Sequence, residues 1–111
     1  MSIKGGNTVE VLIAATDTTL INPTLGRIVI TSAILSEQSG AEETIELFIS
    51  TSAVSAGSKR LGEVVLPADD TQDPIELADR GVPSGSYLIG KGAAGGLVTA
   101  YITYTQYTGS S

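Results

Sequence analysis

Between Leu97 and Tyr107 the side chains alternate in character, with Val98, Ala100, Ile102 and Tyr104 on one parity and Leu97, Thr99, Tyr101, Thr103 and Thr105 on the other. A period of two is the signature of a β-strand, here with one dry face and one Thr/Tyr face. A second β-prone run, Tyr87-Leu88-Ile89, precedes it, and Gly90, Gly92, Gly95 and Gly96 lie between the two. Together they read as a closing hairpin whose glycines serve a flexible surface tip.

The remaining chain divides into further short strands separated by turn signals. Val9, Val11 and Ile13 alternate, Ala15-Thr16-Asp17 turns the chain into Thr18-Thr19-Leu20-Ile21, and Asn22-Pro23 opens another turn. From Gly26 to Ser36 both parities are apolar: Ile28, Ile30 and Ile34 on one, Val29, Ala33 and Leu35 on the other. A strand covered on both faces calls for a second contact, either an overlying loop or a neighbouring subunit. The subunit alternative puts Val29, Ala33, Leu35 and, on the later strand, Tyr101 at an oligomer interface. For the stretch after Glu42, a capping box (Ser39, Glu42) with Ile45, Phe48 and Ile49 at helical spacing competes with the alternation of Ile45, Leu47 and Ile49. The strand is favoured, because these residues are β-prone and a helix would stand alone among strands. Arg60 to Leu66 gives a further strand, stopped by Pro67. Residues 75–79 fit either one helical turn, with Asp73 as cap and Pro74 in first position, or a short edge strand.

With 111 residues the chain has the size of one domain, able to bury roughly 65% of its unfolded surface. It is 41% hydrophobic but only 5% aromatic, so its core must be aliphatic. The expected fold is all-β: a single small antiparallel β-sandwich, jelly-roll-like, of about seven to eight strands over residues 8–108. Residues 1–7 read as a flexible arm and 109–111 as a disordered tail.

No Cys, His or Trp is present, which removes disulfides, thiolate and imidazole ligands, the commonest general base and the thiol nucleophile. A serine hydrolase lacks its base, and a glycosidase cleft lacks its usual aromatic floor. The glycines before Leu97 are not followed by Gly-Lys-Ser/Thr or by a helix, so they do not read as a phosphate loop. Asp69, Asp70 and Asp73 form the only local constellation with a chemical reading, a cation site, but they miss the EF-hand pattern and fit a solvated acidic loop better. The chain is therefore expected to be non-enzymatic and without a cofactor or small-molecule substrate. A net charge of −6 with six scattered basic residues argues against nucleic acid as a partner. The absence of an apolar leader and of any long apolar run argues against secretion or a membrane.

Leu77 through Tyr104, with Gly81-Val82-Pro83-Ser84-Gly85-Ser86-Tyr87-Leu88-Ile89, the glycine-rich tip and Val98-Thr99-Ala100-Tyr101-Ile102-Thr103-Tyr104, resembles the closing hairpin of small jelly-roll-like structural proteins of tailed-phage virions. The Gly26–Ser36 strand, the loop from Thr51-Ser52 and the Lys59–Leu66 strand are similar in order and spacing. This resemblance implies a head decoration or cement protein, made in the host cytoplasm and carried on the virion. It would bind the major capsid protein as a homotrimer through many weak, repeated contacts. Met1, Ser2, Ile3 and Lys4 of the arm are the expected capsid contact. The alternatives are a neck, tail or fibre-associated sandwich, a carbohydrate-binding module using Tyr101, Tyr104 and Tyr107, and a cytoplasmic adaptor or inhibitor.

Overall fold

A computed structural model describes residues 2–21, 26–54, 59–93 and 97–108. Among them run nine strands: β1 (Ser2–Ile13), β2 (Thr18–Ile21), β3 (Arg27–Glu37), β4 (Glu43–Ser50), β5 (Lys59–Leu66), β6 (Thr71–Gln72), β7 (Gly81–Val82), β8 (Tyr87–Gly92) and β9 (Val98–Thr108). One 3-10 turn, Ile75–Leu77, separates β6 from β7. Two antiparallel sheets form a sandwich. The first has the order β1-β9-β3-β6, with β7 also paired to β3, and the second has the order β2-β8-β4-β5. β6 and β7 pair with different ends of β3, at Leu35–Ser36 and at Ile28–Val29, so they act as one interrupted edge strand. Each sheet draws on strands from both halves of the chain. The connections pass from one sheet to the other, except β4 to β5 and β6 to β7, which is the wrapping of a jelly roll.

The space between the sheets is filled by aliphatic side chains, as the composition requires. Ile30, Leu35, Val98, Ala100 and Ile102 from the first sheet meet Ile45, Leu47, Leu66 and Leu88 from the second, all fully buried. Leu77 of the 3-10 turn plugs this core and is itself fully buried. Of the two readings for residues 75–79, the helical turn is the one realised. Its cap position is Pro74, with no side-chain hydrogen bond from Asp73 or any other residue. The stretch after Glu42 is the strand β4, as its alternation demands.

Three expectations are corrected by this architecture. β8 and β9 do not form a hairpin: β8 lies between β2 and β4 in one sheet, and β9 between β1 and β3 in the other. Gly90 and Gly92 belong to β8 and are buried, so they are not part of a surface tip, while Gly95 and Gly96 lie outside the described residues. The reason for glycine at position 90 is packing. A Cβ there would stand 3.2 Å from Cδ1 of both Ile13 and Leu20, closer than side chains normally approach.

The doubly apolar strand needs no second subunit. Along β3 the register with β9 slips between Ile30, opposite Tyr104, and Ser32, opposite Thr103, leaving Thr31 as an extra residue. Such a β-bulge inverts the facing of everything beyond it. Ile28 and Ile30 point inward before the bulge, and Ala33, Leu35 and Glu37 point inward after it. Ala33 and Leu35 are therefore buried in the chain's own core and are unavailable to an oligomer interface. Thr31 holds the bulge by donating its hydroxyl to the carbonyl of Thr103 at 3.1 Å.

The arm expected over residues 1–7 is, from Ser2 onward, the first half of β1. It pairs with the end of β9, Ser2 opposite Thr108 and Gly6 opposite Thr105, with one irregularity between Ile3 and Gly6. Backbone pairing supplies the order that its sparse apolar content does not.

Candidate interaction face

The outer surfaces of the two sheets differ in chemistry. On the four-stranded sheet, Glu46 stands between Lys91 of β8 and Glu63 of β5 in the cross-strand register. Arg60 bridges the two acids, Nε to Glu46 at 3.2 Å and a terminal nitrogen to Glu63 at 3.1 Å. That is a charged, solvated ribbon of the kind expected on a sheet face turned to water.

Over residues 7–13 of β1, 27–37 of β3 and 98–107 of β9, the outer face of the five-stranded sheet carries two charged side chains, Glu10 and Arg27, set toward opposite ends. Its rows are fixed by register. Leu12, Thr99 and Ser36 stand side by side, then Glu10, Tyr101 and Ile34, then Thr8, Thr103 and Ser32. Leu97, just before β9, continues the column of Thr99 and Tyr101. Three aliphatic side chains here are open to solvent: Leu12 is 55% exposed, Leu97 49% and Ile34 38%. The polar members pair among themselves: the hydroxyls of Thr8 and Thr103 are 3.1 Å apart, and Thr99 donates to Oε1 of Gln38 at 3.2 Å. Other exposed aliphatics, Val54, Val65 and Ile75, are scattered over a loop, the opposite sheet and the 3-10 turn.

Of the residues expected at an oligomer interface, Tyr101 lies on this outer face, half-buried, and Val29 lies farther along it opposite Thr105. Ala33 and Leu35 are inside. Ser2, Ile3 and Lys4, expected to contact a capsid, lie at the β1 end that pairs with the end of β9, and Met1 is outside the described residues. Leu97 lies on the Thr/Tyr face that the alternation predicts, whereas Leu12 and Ile34 are members that the pattern does not place there. The pattern groups Ile34 with Ile28 and Ile30 because the bulge leaves no trace in it, while Leu12, an apolar residue at the polar parity of its own strand, is a signal legible in the sequence. The tyrosines do not form a platform: Tyr104 turns inward against the core, and the Arg27 guanidinium covers the Tyr107 ring at 4.8 Å from its centroid.

At one end of this face, Glu37 closes β3 with its side chain buried. Its Oε2 accepts the hydroxyl and the amide of Ser39, at 2.6 and 2.9 Å, and its Oε1 accepts the amides of Gly40, Ala41 and Asp69 at 2.9, 3.2 and 3.2 Å. These donors, the Ser39 hydroxyl above all, bring the carboxyl down to about 2 against the opposing pull of burial. A second buried acid, Glu43, accepts at Oε1 from the amides of Thr44 and Ala93 at 3.0 and 3.1 Å. Both acids accept from backbone amides of the connections beside them, Glu37 also from the Ser39 hydroxyl, a structural use of charge. The pattern Glu37-Gln38-Ser39-Gly40, an acid followed by a Ser-Gly turn, is the sequence trace of the first. The Ser39 to Glu42 capping box does not form, because Ser39 serves Glu37.

Asp69, Asp70 and Asp73 are not gathered. Asp70 Oδ2 accepts from the side-chain Nε2 of Gln72 at 3.2 Å, and Asp69 sits at φ 55° in the turn. Among the described residues no group of three or more acids is placed to hold a metal ion, and no pocket opens.

No family model matches the sequence, and no curated protein matches it. Solved structures do match in shape. One is from work on Bacillus endospore appendages, described as a family of disulfide-linked pili: it superposes with a TM-score of 0.61 at 14% identity, over 98% of this chain and 90% of that one. Another is the Drosophila NLP core, studied for pentamer formation and histone binding, with a TM-score of 0.58 at 14% identity over 95% of this chain and 100% of that one. At such identities the likeness is one of fold.

Proposed function

We propose that this chain is a non-enzymatic structural subunit that assembles with copies of itself and coats a larger particle, with its five-stranded sheet turned toward its partners. The observation that carries this reading is the contrast between the two outer faces. One is laced with Lys, Arg and Glu, and the other joins a Thr/Ser lattice to exposed Leu12, Ile34 and Leu97. A face of hydroxyls and aliphatics with few charges is costly to leave in water and cheap to cover. In its specific form the proposal is a head decoration or cement protein of a tailed-phage virion, trimeric and seated on the major capsid protein, as the sequence resemblance implies. Neck, tail and fibre attachment are the nearest alternatives.

Two supports are independent of that resemblance. Sandwiches of this outline serve as subunits in both structural neighbours, in pili in one and in pentamers in the other. The disulfide linkage of the pili has no counterpart here, since the sequence contains no cysteine, so assembly would rest on non-covalent contacts. The carbohydrate-binding alternative loses its motive, because Tyr104 packs against the core, Arg27 lies over the Tyr107 ring and Tyr101, on the outer face, is half-buried.

The test is co-sedimentation with capsids prepared without the protein. Binding that saturates at a fixed ratio to the capsid protein, and that Ile34→Asp abolishes while the variant still unfolds in one cooperative thermal transition, is the expected result. Failure of the wild-type chain to pellet with such capsids would remove the decoration reading.

A further inference from the structure

The five hydrogen bonds on Glu37 come from two separate connections. Ser39, Gly40 and Ala41 belong to the β3–β4 turn, whereas Asp69 belongs to the β5–β6 turn, 32 residues away in sequence. One oxygen, Oε1, accepts from both turns, from Gly40 and Ala41 on one side and Asp69 on the other. The backbone of Glu37 reinforces the second attachment, its amide donating to the carbonyl of Asp70 at 2.8 Å. Both turns contain a residue in the left-handed region, Gly40 at φ 83° and Asp69 at φ 55°, and a Cβ on Gly40 would lie 3.9 Å from Asp69 Oδ2. Aspartate is among the residues that reach this region most readily; here the turn around it is closed by the Asp70 amide on the Pro67 carbonyl at 3.1 Å, and the bond from the Asp69 amide ties it to Glu37.

We infer that Glu37 is a shared latch, a single carboxylate that fastens residues 38–41 and 67–70 into one unit, so that opening of either turn is coupled to opening of the other. A buried charge keeps its place only while its donors are in place. If one turn withdraws its amides, water must enter to solvate Oε1, and the same water competes for the amides of the other turn. Local opening then involves both turns as one cooperative unit, although they are distant in sequence. The next residue extends the latch toward β9: the Gln38 amide donates to the carbonyl of Leu97 at 2.7 Å, so the entry of the last strand is anchored beside it. The inference stands on these contacts and does not depend on the proposed function.

Amide hydrogen exchange followed by NMR on the full chain, near neutral pH, tests it. In Glu37→Gln the amides of Ser39, Gly40, Ala41 and Asp69 should all exchange faster, by roughly tenfold to a hundredfold, the size expected for losing a bond to a charged acceptor. Those of Ile45 and Leu47 in the core should keep wild-type rates. The reciprocal arm strains one turn alone. Gly40→Ala, at a backbone angle that alanine resists, should speed exchange at Asp69 when Glu37 is present and leave it unchanged in the Glu37→Gln background. If Glu37→Gln does not fold, Gly40→Ala decides alone. Faster exchange over residues 39–41 with Asp69 unchanged overturns the latch, and faster exchange at both supports it.

Discussion

Leu35 and Ile34 are neighbours in one strand and chemically alike, yet the bulge at Thr31 assigns them opposite fates. Leu35 is fully buried between the sheets, while Ile34 is 38% exposed opposite Tyr101. Leu35→Ala removes its transfer free energy and leaves a cavity that neighbours such as Ala100, across the ladder, cannot fill, a loss of about 2–5 kcal/mol. For a domain of this size that is roughly 8–20 °C in Tm. Ile34→Ala opens no closed cavity and forfeits chiefly a cross-strand contact, about 0.2–1 kcal/mol plus a part of its burial. Urea unfolding at several protein concentrations separates the two contributions, because any share due to assembly varies with concentration and the intramolecular share does not. A deficit in Leu35→Ala that is large and independent of concentration, beside a small one in Ile34→Ala, is expected. Equal deficits, or a larger concentration-independent one in Ile34→Ala, would refute the inversion of facing at Thr31 and with it the assignment of the outer face.

Three other outcomes follow from the same structure. Deleting Ser32 absorbs the bulge, leaving Thr31 opposite Thr103 and Ala33, Leu35 and Glu37 still inward, so the variant should keep a cooperative unfolding transition by circular dichroism. Inserting one residue between Ala33 and Ile34 instead turns Leu35 and Glu37 to the other face and should abolish that transition. Gly90→Val drives a side chain into the space held by Ile13 and Leu20, and should cost about 1–3 kcal/mol in chemical denaturation. The carboxyl of Glu37 is lowered on folding from 4.5 to about 2, so its contribution is fully present above 4.5 and is lost as pH falls through about 2. The wild-type chain should therefore lose more stability over that interval than Glu37→Gln does, as read from Tm against pH, and parallel curves would contradict the contribution.

Much of the fold was legible in the sequence. Alternation gave β1, β4 and β9, the inward set Val98, Ala100, Ile102 and Tyr104, and the aliphatic core that a chain poor in aromatics must build. What alternation cannot reveal is partner choice. Tyr87-Leu88-Ile89 and the run from Val98 have the same pattern whether they pair with each other or sit in opposite sheets, and the glycines between them suggested the former. Gly90 is absent a side chain because Ile13 and Leu20 arrive from strands far away in sequence, a reason that no local reading contains. The single residue inserted at Thr31 had a similar effect, since it makes both parities of β3 apolar without any second contact. The candidate face was half legible: Tyr101 was placed on it, but Ala33 and Leu35 were drawn from the wrong side of the bulge and Leu12 was passed over. Glu37 leaves only the Ser39-Gly40 pair as a local trace, and the Asp69 amide on Glu37 and the Ala93 amide on Glu43 come from connections far away in sequence, which no local pattern shows.

The central claim, that the outer face of the five-stranded sheet joins copies of this chain, is tested most directly by the mass of the purified protein in solution, from light scattering on the wild type and on Ile34→Asp. The account predicts an integral multiple of the chain mass for the wild type, three being the number the resemblance implies, and a single folded chain for Ile34→Asp. A wild-type protein that remains a single chain at every concentration tested, or an Ile34→Asp variant that assembles as the wild type does, would contradict it.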